Sequence, residues 1–141
     1  MAAIKQGAFK TTPEQKQIVY FSDFDLTFRR RAGSKDIVLE QNVEAVKSSI
    51  RNIVFTNRGE RMFNPTFGCD VRKMLFENDS PIVADVIKDF IKRAIEDFEP
   101  RARVIDVIAD TDDSGHRYNI TIVFSIINMT EPTSISFALG R

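Results

Sequence analysis

The chain has 141 residues, 43% of them hydrophobic, and its 20 Lys+Arg balance 20 Asp+Glu. That size supplies one good core and not two, so a single domain is expected, and zero net charge excludes a global field that would draw the chain to nucleic acid or an anionic membrane. With Cys69 and His116 alone of their types, an internal disulfide is excluded and a zinc site lacks its usual ligands, so no metal or cofactor is expected.

Residues 1–16 are polar, carry Gly7 and Pro13 and show no periodicity, which reads as a flexible or partner-ordered arm before one domain over residues 17–141. No apolar core of signal-peptide length occurs there, and no run approaches the roughly 20 apolar residues that span a bilayer. A soluble, intracellular protein is the expectation. Ile18-Val19-Tyr20-Phe21 is rich in β-formers and is a candidate extra strand. Leu39, Val43, Val46, Ile50 and Ile53 then mark an amphipathic helix over residues 40–54.

Residues 56–70 are dense in turn formers yet hold Met62, Phe63 and Phe67, so this loop is expected to be docked. Asp70 is a candidate cap for a short helix through Val71, Met74, Leu75 and Phe76. The most clearly written element follows. Val83, Val86, Ile87, Phe90, Ile91, Ala94, Ile95 and Phe98 recur at three- and four-residue steps opposite Lys88, Asp89, Lys92, Arg93, Glu96 and Asp97. Ser80 suits the N-cap, Pro81 the first helical position, and Pro100 lacks the N–H that continuation would use.

After Pro100 the period falls to two. Residues 103–109 form a strand, 110–115 a turn, and 118–126 a second strand with Tyr118, Ile120, Ile122, Phe124 and Ile126 on one face. Residues 133–139 alternate again through Ile135, Phe137 and Leu139. The expected fold class is α+β: two main amphipathic helices and a short one packed on one face of an antiparallel three-stranded β-meander.

Several groups invite a chemical reading. Asp23-Phe24-Asp25-Leu26-Thr27 has the Asp-x-Asp-x-Thr form of the haloacid-dehalogenase-like phosphatases. There the first Asp attacks phosphorus, the second is general acid and base, and magnesium neutralises the oxygens. Ile53-Val54-Phe55-Thr56 resembles that family's second motif, Lys88 or Lys92 its lysine, and Asp110, Asp112 and Asp113 its metal carboxylates. That chemistry needs a doubly wound parallel sheet, whereas these strands come last and consecutively. Asp97 with Glu99 as a glycosidase pair is weaker, because two residues apart at a helix end they point in different directions. A solvated Asp97 and a Glu99 paired with a nearby base is the plainer reading. Cys69 with His116 lacks an orienting third group. Arg29-Arg30-Arg31 suits a solvated face or an acidic protein patch better than nucleic acid, given the neutral balance.

Thr56-Asn57-Arg58-Gly59-Glu60-Arg61, Asn64-Pro65-Thr66-Phe67-Gly68-Cys69-Asp70, Leu75-Phe76-Glu77-Asn78 and a helix ending Phe98-Glu99-Pro100-Arg101 occur in order. Together they resemble the baseplate wedge proteins of phage T4-type contractile tails, a family often called lysozyme-like that includes a type VI secretion baseplate component. The likeness runs from about Leu39 to the C-terminus. It implies a structural virion protein of the tail baseplate, assembled in the host cytoplasm in multiple copies around the tail axis. Its implied partners are other wedge proteins with their helical core and the tail sheath, with the tail tube a third candidate; nucleic acid and membrane are not among them. The family's Glu-Pro-Arg signature, associated with docking on the wedge core, falls on Glu99, Pro100 and Arg101. A rigid corner fixed by Pro100 would hold Glu99 and Arg101 ready for charged partners on neighbouring helices. Ser134, Ile135, Ser136 and Phe137 lie on a last strand that would offer an edge for strand addition by sheath. The residues themselves give the lysozyme name no support, and no enzyme activity is expected.

Overall fold

The computed structural model describes residues 18–25, 27–33, 36–77, 80–111 and 117–140. The arm expected over residues 1–16, and Asp112, Asp113 and His116, lie outside them. The element order is β1 (Ser22–Phe24), β2 (Leu39–Gln41), α1 (Val43–Phe55), α2 (Val71–Met74), α3 (Pro81–Phe98), β3 (Ala102–Thr111), β4 (Arg117–Ile126) and β5 (Thr133–Gly140). The class is the α+β expected.

The meander runs β3-β4-β5, antiparallel throughout. Tyr118, Ile120, Ile122, Phe124 and Ile126 are all buried, so β4 presents to the core the face that its alternation predicts. α3 lies along β3 and adds Ile87, Ile91, Ala94 and Ile95, each fully buried, while α1 supplies Val46, Ile50, Ile53 and Val54. Ser80 Oγ accepts from Ile82 N–H at 3.1 Å, the capping bond that its position promises.

The N-terminal expectations need correction. The helix expected from residue 40 starts at Val43, because Asn42 has φ 51°, outside the helical region. Leu39–Gln41 instead pairs antiparallel with Ser22–Phe24, and Leu39, expected on the helix's apolar face, is exposed. The extra strand is thus real but shifted beyond Ile18-Val19-Tyr20, which are exposed, and it belongs to a separate two-stranded ribbon. Asn42 makes this possible. Its Oδ1 accepts from the N–H groups of Tyr20 (2.8 Å) and Phe21 (3.3 Å), its Nδ2 donates to Ile18 O (2.9 Å), and its own N–H donates to Phe21 O (2.8 Å). One side chain does the work of a neighbouring strand.

Asp70 precedes α2 but makes no side-chain capping bond; its carboxylate meets Lys73 Nζ at 2.9 Å and Arg58 Nε at 3.9 Å instead. The preceding loop is docked through Phe67, whose ring centroid lies 5.0 Å from that of Phe98. Met62 and Phe63, expected to dock with it, are fully exposed.

Candidate functional site

The corner between α3 and β3 is built by the end of the helix. Glu99 N–H donates to Ile95 O at 2.8 Å, which closes the last turn, and Pro100 stops it. The Glu99 carboxylate turns inward and is only 2% exposed. Arg101 Nε donates to Oε1 at 2.6 Å and Nη2 to Oε2 at 2.7 Å, a bidentate pair, and Ser49 of α1 adds a hydrogen bond. Burial acts to raise the Glu99 pKa, but the bonds from Arg101 and Ser49 and the Arg101 charge outweigh it and lower it. Glu99 is therefore ionised and internally paired. This is the pairing with a nearby base that the plainer reading expected of Glu99: a carboxylate this buried needs its own cation, and Arg101 is that cation. What the corner turns outward is Pro100, with the Arg101 side chain 27% exposed. Phe21 of the N-terminal segment lies 5.6 Å from the Arg101 guanidinium, and an open groove of about 540 Å³ runs beside Pro100, between Glu96, Arg103, Ile127 and Met129.

The preceding loop supports the corner through Phe67 and Phe98. Gly68 has φ 110°, and a Cβ there would stand 2.3 Å from Thr56 O. That close approach lets Cys69 N–H donate to the same oxygen at 2.8 Å and ties loop to helix.

β5 pairs only with β4 among the described residues, so it is a sheet edge. Ile127 N–H donates to Arg101 O at 3.0 Å on the β3 side. Alternation along β4 then aims the main-chain groups of Ile120, Ile122 and Phe124 at β5, where their partners are Phe137, Ile135 and Thr133. The backbone groups of Ser134, Ser136 and Ala138 consequently face outward. Ser134 and Ser136 are exposed, whereas Ile135 and Phe137 are half-buried and Phe137 packs on Phe55 at 5.3 Å. The other edge is guarded: the register shifts between Val104 and Asp106, a bulge at Ile105, and Asp106 Oδ1 takes Val107 N–H at 2.8 Å.

With this geometry in place, comparison with known proteins is decisive. The family described as baseplate wedge protein gp25 matches residues 40–131. The baseplate wedge protein gp25 of Enterobacteria phage T4 is 35% identical over 97 residues, 67% of this chain and 72% of that one. This chain belongs to the baseplate wedge protein gp25 family. A crystal structure from Geobacter sulfurreducens, of a protein labelled a tail lysozyme, is similar at TM-score 0.68 and 26% identity, covering 74% of this chain and 96% of that one. A chain in the baseplate of the anti-feeding prophage shares the fold at TM-score 0.61 and 23% identity, over 84% of this chain and 83% of that one. The gp25 match includes the docked loop, α3 and the corner; β1 and β5 lie outside it.

The phosphatase constellation does not assemble on this gp25-family fold. Asp23 sits in a short antiparallel ribbon, and Thr56 follows a helix, with its Oγ1 donating to Asn52 O at 2.7 Å. Asp25 is buried and its oxygens are taken: Thr27 N–H (2.9 Å) and Oγ1 (2.6 Å) on one, Arg29 Nε (2.6 Å) on the other. The Thr27 and Arg29 bonds hold its pKa down at about 2. Asp-x-Thr-x-Arg is here a turn clasp. Lys88 pairs with Asp85 at 2.9 Å, and the Cys69 thiol is pushed up to about 11 by burial, which leaves a poor nucleophile. Sequence reasoning missed Asn42, Ser49 and Phe21 as supports of the corner, since a polar side chain reaching across some twenty residues, as that of Asn42 does, leaves no periodic trace; the Asn residue type, which tolerates the φ of 51° found at position 42, is the local signal that it left.

Proposed function

We propose that this chain is a non-enzymatic wedge subunit of a contractile-tail baseplate. It docks on the helical wedge core through the corner of Glu99, Pro100 and Arg101. It offers Ser134, Ile135, Ser136 and Phe137 of β5 as the edge on which tail sheath begins to polymerise. It does so in several copies around the tail axis, after assembly in the host cytoplasm, with the tail tube as a further neighbour.

The observation that carries this reading is the contrast between the two edges of the meander, one interrupted by a bulge and one open along Ser134, Ser136 and Ala138. An open, regular edge is a template for an added strand, whose main-chain hydrogen bonds supply the attachment. In the corner, Glu99 acts as a positioning residue: it holds the guanidinium of Arg101 in one orientation beside Pro100, so the face shown to a partner is set in advance. An ionised Glu99 locked to Arg101 is also the reverse of what glycoside cleavage asks of its acid, which must keep a proton in an apolar pocket. Glu99 of this chain is therefore poorly suited to be that acid.

Co-purification with the wedge core tests the docking. Arg101→Ala and Arg101→Lys should both weaken it, the second because an ammonium cannot reproduce the bidentate fork. A desolvated contact would lose about 2 kcal/mol, roughly thirtyfold in Kd. Undiminished binding in both variants would reject the corner as the docking site. A lytic band on a peptidoglycan zymogram, abolished by Glu99→Gln, or a magnesium-dependent phosphatase activity lost in Asp23→Asn, would overturn the non-enzymatic reading.

A further inference from the structure

The loop between α1 and α2 carries Met62 and Phe63 at its tip with relative exposures of 91% and 102%. The support beneath them is stiff. Gly59 N–H donates to Pro65 O at 2.8 Å across the base, Glu60 accepts from Asn57 N–H at 2.8 Å, and Asn64 N–H donates to Arg61 O at 3.3 Å. The Arg61 guanidinium lies 3.8 Å above the Phe67 ring, which packs in turn on Phe98. A slack loop would fold two such side chains down onto the protein; this one holds them away from it.

We infer that the Met62–Phe63 tip is an apolar anchor that seats in a concave, acid-rimmed pocket on a different subunit of the same assembly. The inference rests on the wedge-protein reading above. Shape and area choose the occupant. A second copy of the chain meeting this tip symmetrically would set one convex tip against another. An aromatic side chain buries about 150–250 Å², whereas a stable pairing needs about 1,200–2,000 Å² in all. A small protruding anchor is effective only in a complementary pocket within a larger contact, where such residues carry much of the binding energy. Charge specifies the rim. Arg61 adjoins the tip, and stacking on Phe67 fixes the plane of its guanidinium, so its N–H edge suits a partner carboxylate. Continuity ties it to the corner: Phe67 and Phe98 join the loop to the end of α3, so tip and corner meet the assembly as one body.

The test places the photo-crosslinker p-benzoylphenylalanine at position 63, and separately at position 100, in tail particles assembled in the producing cell, and identifies crosslinked peptides by mass spectrometry. Position 63 should crosslink to a subunit other than this chain, within a peptide that combines apolar residues with Asp or Glu. Met62→Asp with Phe63→Asp should lower incorporation into baseplates at least tenfold while leaving the melting temperature unchanged, and Phe63→Leu should be incorporated normally. Crosslinking chiefly to a second copy, silence at position 63 in particles where position 100 reports, or normal incorporation of the double Asp variant would each overturn the anchor and leave the wedge reading standing. Absence of the chain from purified baseplates would overturn both.

Discussion

Glu99 and Asp25 are the two buried acids among the described residues, and each holds an arginine close by in sequence. Both have folded-state pKa values below the usual carboxylate values of about 4, Asp25 at about 2. A depressed folded pKa means that the unfolded chain binds the proton more readily, so the stability it contributes is present above about pH 4 and lost as pH falls. The urea midpoint should accordingly hold steady at neutral pH and decline from about pH 4 toward pH 2. Asp25→Asn and Glu99→Gln should each flatten that decline; an unchanged acid limb in both would contradict the assignment. Arg101→Ala leaves Glu99 buried with less compensation and should destabilise the domain by about 2–3 kcal/mol, below the upper values for a broken buried pair because Arg101 is partly exposed. Gly68 is the other sensitive residue. With φ 110° and a Cβ 2.3 Å from Thr56 O, Gly68→Ala should lose about 2–4 kcal/mol in urea unfolding, whereas a loss under about 0.5 kcal/mol would show that the loop yields.

At the level of elements, what was legible followed from period and punctuation. The bounds of α3 follow from Ser80, Pro81 and Pro100, and the buried face of β4 from strict alternation. Ser80→Ala should cost about 1 kcal/mol through loss of the capping bond to Ile82 N–H, read as a lower thermal midpoint. The ribbon was not legible, because three-residue strands are too short to show a period and Leu39 continues the apolar spacing of α1 by accident of register. Asn42 decides the matter with a left-handed backbone and a side chain that binds Ile18, Tyr20 and Phe21. Asn42→Ala should release that segment, so that hydrogen exchange at Tyr20 and Phe21 rises at least tenfold while β4 stays protected. Equal protection in the variant would mean that β1 and β2 hold the segment alone.

At the scale of the whole molecule, the described residues form a core that joins α1, α3 and the inner face of the meander, and the Pro100 corner, the Met62–Phe63 tip and the β5 edge are among the features it leaves turned outward. The corner and the edge were visible in the sequence as a proline stop and a final alternating strand. The tip was not, since apolar residues in a loop predict docking, and only the frame from Gly59 to Phe67 shows that these two face away. In the proposed function the open edge starts the sheath, and proline at Ser134 or Ser136 probes that role directly. Each replaces an outward N–H and leaves the main-chain bonds to β4 in place; Ser136→Pro also loses the side-chain bond between Ser136 Oγ and Thr121 Oγ1, at 3.0 Å. Electron microscopy of particles carrying Ser134→Pro or Ser136→Pro, with the domain shown folded by its thermal midpoint, should find complete baseplates whose tubes carry no sheath. Full-length sheath in both variants would contradict strand addition at β5.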